Sequence, residues 1–242
     1  MGNIMDPSLR QSITNGKNTF LPCSKGSCFE QCDGYKTVQD IPTTSGTVHH
    51  EGNDIASRQM QDKDFCILQI HLTAKCNWKC PYCCADGWMD KHADWNMSES
   101  AWENTTIFFT GLYETGFVLL LGGEPTVHPA WSAMTQTFLS AGWQVSLITN
   151  FSLTDRIFDM ASRLTDAEKS KMLINVSLHP TQWKNGFNDI EKNMKKLKDV
   201  HQVPFAATVV TTEENMSLMH SLEIEPRLRN IGCEWIGHIK EI

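Results

Sequence analysis

The sequence FCILQIHLTAKCNWKCPYCC, residues 65–84, joins an apolar, strand-like run directly to a loop rich in cysteine. The run at 67–73 has the β-favouring composition that predicts a strand. Cys76, Cys80 and Cys83 then follow within eight residues of one another. Thiolate sulfur selects zinc, copper(I) or an iron–sulfur cluster. The stretch therefore predicts a metal centre on the loop after a strand.

The alternation of strand and helix then repeats along the chain. Strands are predicted at 67–73, 117–121, 144–149, 173–178, 205–211 and 231–236. Between them, Ser98 is a predicted N-cap, Thr165 with Glu168 forms a capping box, and residues 187–197 carry an apolar helical stripe. This alternation predicts an α/β fold with a parallel sheet. Periodicity leaves open whether the sheet is doubly wound or an incomplete barrel, but both bind ligands at the carboxyl ends of their strands.

Composition narrows the class of protein. The chain has 242 residues, of which 40% are hydrophobic, and this is enough to bury a core. A formal net charge of −7 argues against a binder of long nucleic acids. Nine cysteines, an odd and clustered set, fit metal chemistry in a reducing compartment better than a disulfide framework. The longest apolar run, 117–121, is too short to span a bilayer, so we expect a cytoplasmic protein without a membrane partner.

Three interpretations of the cysteine loop are open at this point. The cysteines can be simple core or free thiols. They can bind zinc, with Cys84 or His92 as a fourth ligand. Alternatively, three thiolates can hold a [4Fe–4S] cluster whose fourth iron stays open to a ligand.

Residues 1–64 have a different character. They contain scattered proline, glycine and serine without a period of 2 or 3.6, which predicts an irregular N-terminal extension before a core domain at 65–242. Cys23, Cys28 and Cys32 lie within this extension, and Cys66 follows it. They are candidates for a second cluster or a zinc site, and free thiols are the alternative.

A second motif ends the second predicted strand, where the sequence reads Leu121-Gly122-Gly123-Glu124-Pro125-Thr126. Glycines allow a ligand to approach the backbone closely, and a carboxylate suits an ammonium group. Taken alone, the motif could equally be a turn that ends the strand. Its position one strand after the cysteine loop favours a binding site.

Together the two motifs resemble the radical S-adenosylmethionine (radical SAM) superfamily. Cys76, Cys80, Tyr82 and Cys83 match its C-x3-C-x-aromatic-C signature, and Gly122 to Glu124 match its Gly-Gly-Glu motif. The resemblance covers roughly residues 65–238 and implies a partial (β/α)6 barrel. It implies that the three cysteines hold a [4Fe–4S] cluster. It further implies that S-adenosylmethionine (SAM) is bound by Gly122, Gly123 and Glu124, with Tyr82 near its adenine.

Other strand ends match the superfamily less closely. Ser177 and His179 lie at the end of the fourth strand, where many members keep a polar residue near the ribose or carboxylate of SAM. Thr149-Asn150 resembles a common Thr-Asn-Gly, but Phe151 stands in place of the glycine. Glu234 and His238 lie where they could face the pocket.

The resemblance also implies the reaction. SAM would be cleaved reductively to methionine and a 5′-deoxyadenosyl radical, which abstracts a hydrogen atom from a peptide, nucleoside or sugar. An electron donor such as a flavodoxin or ferredoxin would be required. Two alternatives stay open, namely a zinc-binding structural module that uses the same cysteines and a member that binds the cluster or SAM without chemistry.

Overall fold

The computed structural model describes residues 65–83, 85–183 and 186–239. The N-terminal extension with Cys23, Cys28 and Cys32 lies outside the described residues, as does Cys84. The predictions of a second metal site and of an irregular extension therefore stay predictions.

One parallel sheet of six strands forms the centre of the structure. The strands are β1 Phe65–His71, β2 Thr115–Leu121, β3 Gln144–Thr149, β4 Met172–Leu178, β5 Phe205–Val210 and β6 Ile236–Ile239. Each strand pairs with the next one in the chain, so β1 and β6 form the two edges. A doubly wound sheet would reverse its strand order at a switch point. The uninterrupted order is that of an open barrel, which confirms the partial (β/α)6 barrel.

Helices connect the strands. They are α1 Asp86–Lys91, α2 Glu99–Thr110, α3 Trp131–Ser140, α4 Thr154–Arg163, α5 Asp166–Lys169, α6 Phe187–Asp199, α7 Glu213–Ser221 and α8 Ile224–Asn230, with 3₁₀ turns at Pro125–Val127 and Pro180–Gln182. The Ser98 hydroxyl accepts a hydrogen bond from the Ala101 N–H, and Thr165 with Glu168 forms the predicted capping box. No helix in the described part of the chain is long and apolar enough to cross a membrane.

The two faces of the sheet differ in character. Val118, Leu120, Leu147 and Ile174 are fully buried on the outer face, where the core also contains Trp131, Phe138 and Trp143. Right-handed crossovers place the helices over this outer face. Alternate residues point inward, and there the Thr208 hydroxyl donates to Asn175 Oδ1 at 2.6 Å. The inward face and the carboxyl strand ends are thus left for a ligand.

Two parts of the sequence prediction were wrong near the end of the chain. The predicted strand at 231–236 is mainly a turn, because α8 ends at Asn230 and Gly232 adopts a φ of +77°, so β6 starts only at Ile236. Helices α7 and α8 were not predicted.

Candidate functional site

The cysteine loop begins at the carboxyl end of β1. Cys76, Cys80 and Cys83 are half-buried cysteines. The Cys83 N–H donates to the carbonyl of Cys80 at 3.1 Å, and the Trp78 N–H donates to Cys76 Sγ at 3.4 Å. These short-range bonds curl the backbone and bring the three sulfurs into one neighbourhood.

The electrostatics of the loop favour a bound cation. Burial, together with negative charge on Cys76 and Cys83, raises the pKa of Cys80 to about 12. Burial also raises the pKa of Cys76, which Glu124 and Cys83 increase again. A negative charge on one of these cysteines therefore disfavours ionisation of the others. A metal that displaces the protons would supply the compensating positive charge.

The three thiols of the loop decide which metal centre it could hold. Across the described ranges, no three His, Cys, Asp or Glu side chains converge closely enough to hold one metal ion. A [4Fe–4S] cluster is ligated by each cysteine through a different iron, so its ligands are spread around it. The three thiols of this loop fit that donor set.

The glycines at the end of β2 allow this strand end to pack closely against the start of the cysteine loop. A Cβ built on Gly122 would lie 2.4 Å from the carbonyl oxygen of Thr73, and one on Gly123 would lie 2.3 Å from that of Lys75. The Gly123 N–H donates to the Thr73 carbonyl at 2.8 Å, and the Glu124 N–H donates to that of Lys75 at 2.7 Å. The space that the missing side chains leave is thus taken by the protein's own loop.

The Glu124 carboxylate joins the ends of β2 and β3. Its Oε1 accepts hydrogen bonds from the Thr126 N–H at 3.0 Å, the Thr126 hydroxyl and the Thr149 hydroxyl at 2.8 Å. Its Oε2 accepts one, from the Asn150 N–H at 2.7 Å. Burial raises the pKa of Glu124, while these hydrogen bonds lower it. These four hydrogen bonds match the roughly four acceptor sites of a carboxylate, so the buried Glu124 side chain is held firmly between the two strand ends.

Asn150 links β3 to the cysteine loop through three residues that we call the asparagine clamp: Asn77, Asn150 and Ser152. Asn150 Nδ2 donates to Asn77 Oδ1 at 2.9 Å, and Asn77 Nδ2 donates to the Ser152 hydroxyl at 2.7 Å. Ser152 in turn donates from its N–H and hydroxyl to Asn150 Oδ1. Asn77 and Ser152 were not predicted. The Thr-Asn at a strand end was the one sequence signal for this contact.

Phe151 takes the backbone shape expected of the glycine that it replaces. Its φ is +58°, in the left-handed region, and its side chain is 1% exposed. The ring packs edge-on against Phe158 of α4, with centroids 6.5 Å apart. The turn that presents Asn150 is thereby kept despite the absence of glycine.

The end of β4 also reaches the cysteine loop. His179 Nδ1 lies 3.4 Å from Cys80 Sγ and 3.1 Å from the Tyr82 hydroxyl. The rings of Tyr82 and His179 stack at 5.7 Å with an interplanar angle of 10°. Burial lowers the pKa of His179 to about 4.

The other predicted positions fall on different sides of the sheet. Ser177 is half-buried and pairs in register with the inward-pointing Thr208. His238 pairs with Val209 of the outer face, and its Nε2 lies 3.0 Å from Glu225 Oε1 of α8. The suggestion that His238 faces the pocket is therefore wrong, because the side chain is held on the helical side. Glu234 is exposed and lies before β6.

Comparison with curated proteins finds three relatives. The S-adenosylmethionine-dependent nucleotide dehydratase of Selenomonas ruminantium is 31% identical over 86 residues, which is 36% of this chain and 30% of that protein. The nucleotide dehydratase of a Thermoplasmatales archaeon is 32% identical over 91 residues, 38% of this chain and 31% of that protein. A cofactor-modifying protein for tungsten-containing aldehyde ferredoxin oxidoreductase, from Pyrococcus furiosus, is 24% identical over 69% of this chain and 49% of that protein. The chain thus spans under a third of the two dehydratases. No family model matches it.

Solved structures share the fold. SuiB of Streptococcus suis, bound to its precursor peptide SuiA, superposes with a TM-score of 0.57 at 13% identity, over 97% of this chain and 52% of that one. The enzyme anSMEcpe with bound AdoMet gives 0.53 at 16% identity, over 74% of this chain and 52% of that one. Fold and site define a partial-barrel protein with a cysteine loop after its first strand. Over part of its length the chain is similar to two proteins named as S-adenosylmethionine-dependent, and it shares the partial-barrel fold of the solved structures.

Proposed function

We propose that the protein is a radical SAM enzyme whose Cys76, Cys80 and Cys83 hold a [4Fe–4S] cluster. When bound and reduced, such a cluster supplies the electron that splits SAM into methionine and a 5′-deoxyadenosyl radical, which takes a hydrogen atom from the substrate. One observation carries the proposal. Three half-buried thiols at the end of β1 lie against the Gly-Gly-Glu end of β2, joined to it by the hydrogen bonds of Gly123 and Glu124.

The strand ends supply the contacts that SAM would need. Gly122 and Gly123 would offer carbonyl oxygens to the amino group of the methionine part, and the buried carboxylate of Glu124 would supply negative charge beside it. Tyr82 offers a half-buried ring beside the loop for the adenine. Ser177, on the inward side of β4, would contribute a hydroxyl to the ribose or carboxylate.

The substrate would occupy the inward face of the barrel. Leu119, Ile148, Asn175 and Thr208 lie on that face, which mixes apolar surface with neutral hydrogen-bonding groups. Two relatives are named nucleotide dehydratases, and one similar structure was solved with a precursor peptide. A peptide, a nucleoside and a sugar all stay candidate substrates. We place the reaction in the reducing cytoplasm, with a flavodoxin or ferredoxin as electron donor.

Anaerobic reconstitution with iron and sulfide, followed by reduction in the presence of SAM, tests this proposal. We expect about four irons per chain from one cluster, or about eight if the N-terminal cysteines hold another. We expect 5′-deoxyadenosine from the wild type and none from Cys80→Ala. Cys233→Ala is the matched control, because Cys233 lies after α8 and its Sγ donates to the Trp235 carbonyl at 3.1 Å.

The alternatives give different results in the same experiment. Wild-type protein that forms no more 5′-deoxyadenosine than Cys80→Ala contradicts the proposal. A colourless protein that contains zinc instead of iron indicates the zinc module. A brown protein that contains the cluster but cleaves no SAM indicates a member that binds the cofactors without chemistry.

A further inference from the structure

We propose that His179 donates a hydrogen bond to the Cys80 thiolate in the cluster-bound protein and thereby raises the reduction potential of the cluster. This inference rests on the proposed function, because it requires the cluster. His179 would be a positioning residue that acts through Cys80. It lies 99 positions from Cys80 in the chain, at the end of β4, and the fold brings the two together.

The contact has the geometry of a hydrogen bond to sulfur. His179 Nδ1 lies 3.4 Å from Cys80 Sγ, within the range for a nitrogen–sulfur pair. His179 is held there by its neighbours, since its ring stacks on Tyr82 and meets Trp78 edge-on at a centroid distance of 5.5 Å. The imidazole therefore has little freedom to turn away from the sulfur.

The chemistry of a ligated cysteine fixes the direction of the bond. A thiolate bound to iron has lost its proton and can only accept. A bare Nδ1 lone pair facing that sulfur would be repelled by its negative charge, so the imidazole proton must lie on Nδ1. The same requirement holds whether the ring is neutral or protonated, because both forms can present an N–H at Nδ1.

The Tyr82 hydroxyl can accommodate this proton position. It lies 3.1 Å from His179 Nδ1 and 3.5 Å from the Thr181 hydroxyl. With the proton on Nδ1, Tyr82 turns its own O–H toward Thr181 and leaves its oxygen facing the imidazole. The Nδ1–H is then shared between Cys80 and Tyr82.

A donor to a ligating sulfur changes the electronic properties of the cluster. The N–H draws charge from the sulfur and stabilises the reduced, more negative state, so hydrogen bonds of this kind raise the potential. Trp78 and Tyr82 flank the contact, and the resulting low-dielectric surroundings strengthen it. His179 is thus placed to make the cluster easier to reduce.

The test compares donor and non-donor replacements in the reconstituted full chain. His179→Phe keeps an aromatic ring for stacking but removes the N–H, and His179→Gln keeps an N–H donor. His201→Phe is the control, because His201 stacks on Phe158 at 5.0 Å on the other face of the sheet. A redox titration followed by electron paramagnetic resonance should give a lower midpoint potential for His179→Phe, and values near wild type for the other two.

A second measurement needs no folded variant. In wild-type protein labelled with ¹⁵N-histidine, the reduced cluster should show a weak hyperfine coupling to a histidine nitrogen. A cluster without that coupling, or His179→Phe with a wild-type potential, overturns this inference alone. A wild-type chain that assembles no cluster overturns it together with the proposed function.

Discussion

The left-handed turn at Phe151 leads us to expect that glycine is more stable there than alanine, which is the reverse of the usual order. Phe151 has a φ of +58° and its side chain is 1% exposed. Replacement by alanine loses the buried ring, at a cost of about 3–5 kcal/mol. It also keeps the backbone cost of about 1–2 kcal/mol that a residue with a Cβ incurs in this region. Replacement by glycine loses the same ring but removes the backbone cost.

We therefore expect Phe151→Gly to be more stable than Phe151→Ala by about 1 kcal/mol, although both are less stable than wild type. Phe158 provides the matched control, because it is 6% exposed and lies within α4. At Phe158 the order should reverse, with alanine more stable than glycine by about 1 kcal/mol, since glycine is the poorer helix former.

Urea unfolding of the four metal-free variants, followed by circular dichroism, measures these differences. Comparing the alanine variant with the glycine variant at the same position cancels most of the cost of the lost ring. A Phe151→Ala protein as stable as Phe151→Gly would refute the reasoning, because the turn would then carry no left-handed strain.

Three further predictions concern the strand ends. Asn77→Ala should lower the free energy of unfolding by about 1 kcal/mol and reduce the iron bound per chain, because the asparagine clamp holds the loop. An unchanged iron content would contradict that role of the clamp. Glu124→Gln should cost about 1–3 kcal/mol in urea unfolding, because its amide would turn an N–H toward another donor; a neutral result would contradict the network. Burial lowers the pKa of His71 from 6.5 to about 4. Between pH 6.5 and pH 4, the unfolded chain therefore binds more protons at His71 than the folded chain does. Stability should fall from pH 6.5 to pH 4 by up to about 1.4 kcal/mol per unit, and His71→Gln should flatten that slope in urea unfolding at each pH.

The parts of the site that the sequence predicts are the local ones. The loop from Cys76 to Cys83 and the turn from Gly122 to Glu124 each lie within a few residues, so spacing alone indicates their chemistry. The partial barrel could be predicted only from the order of the strands in the sheet, and the hydrophobic pattern does not contain that order. The same pattern fits an open doubly wound sheet.

The contacts between motifs are distant in the chain and could not be predicted. Asn77 and Asn150 are 73 positions apart, and Cys80 and His179 are 99 apart. Helix α8, which was not predicted, is short and contains Pro226. Proline is tolerated there because Pro226 lies in the first turn, where its missing N–H has no partner to lose.

The central claim is that three cysteines hold a cluster with one iron open to SAM. The most direct measurement is the electron paramagnetic resonance spectrum of the reduced wild-type protein with and without SAM. We expect a [4Fe–4S] signal whose g values shift on addition of SAM, and no such signal from Cys80→Ala. A signal that SAM leaves unchanged, or a cluster that persists in Cys80→Ala, would contradict it.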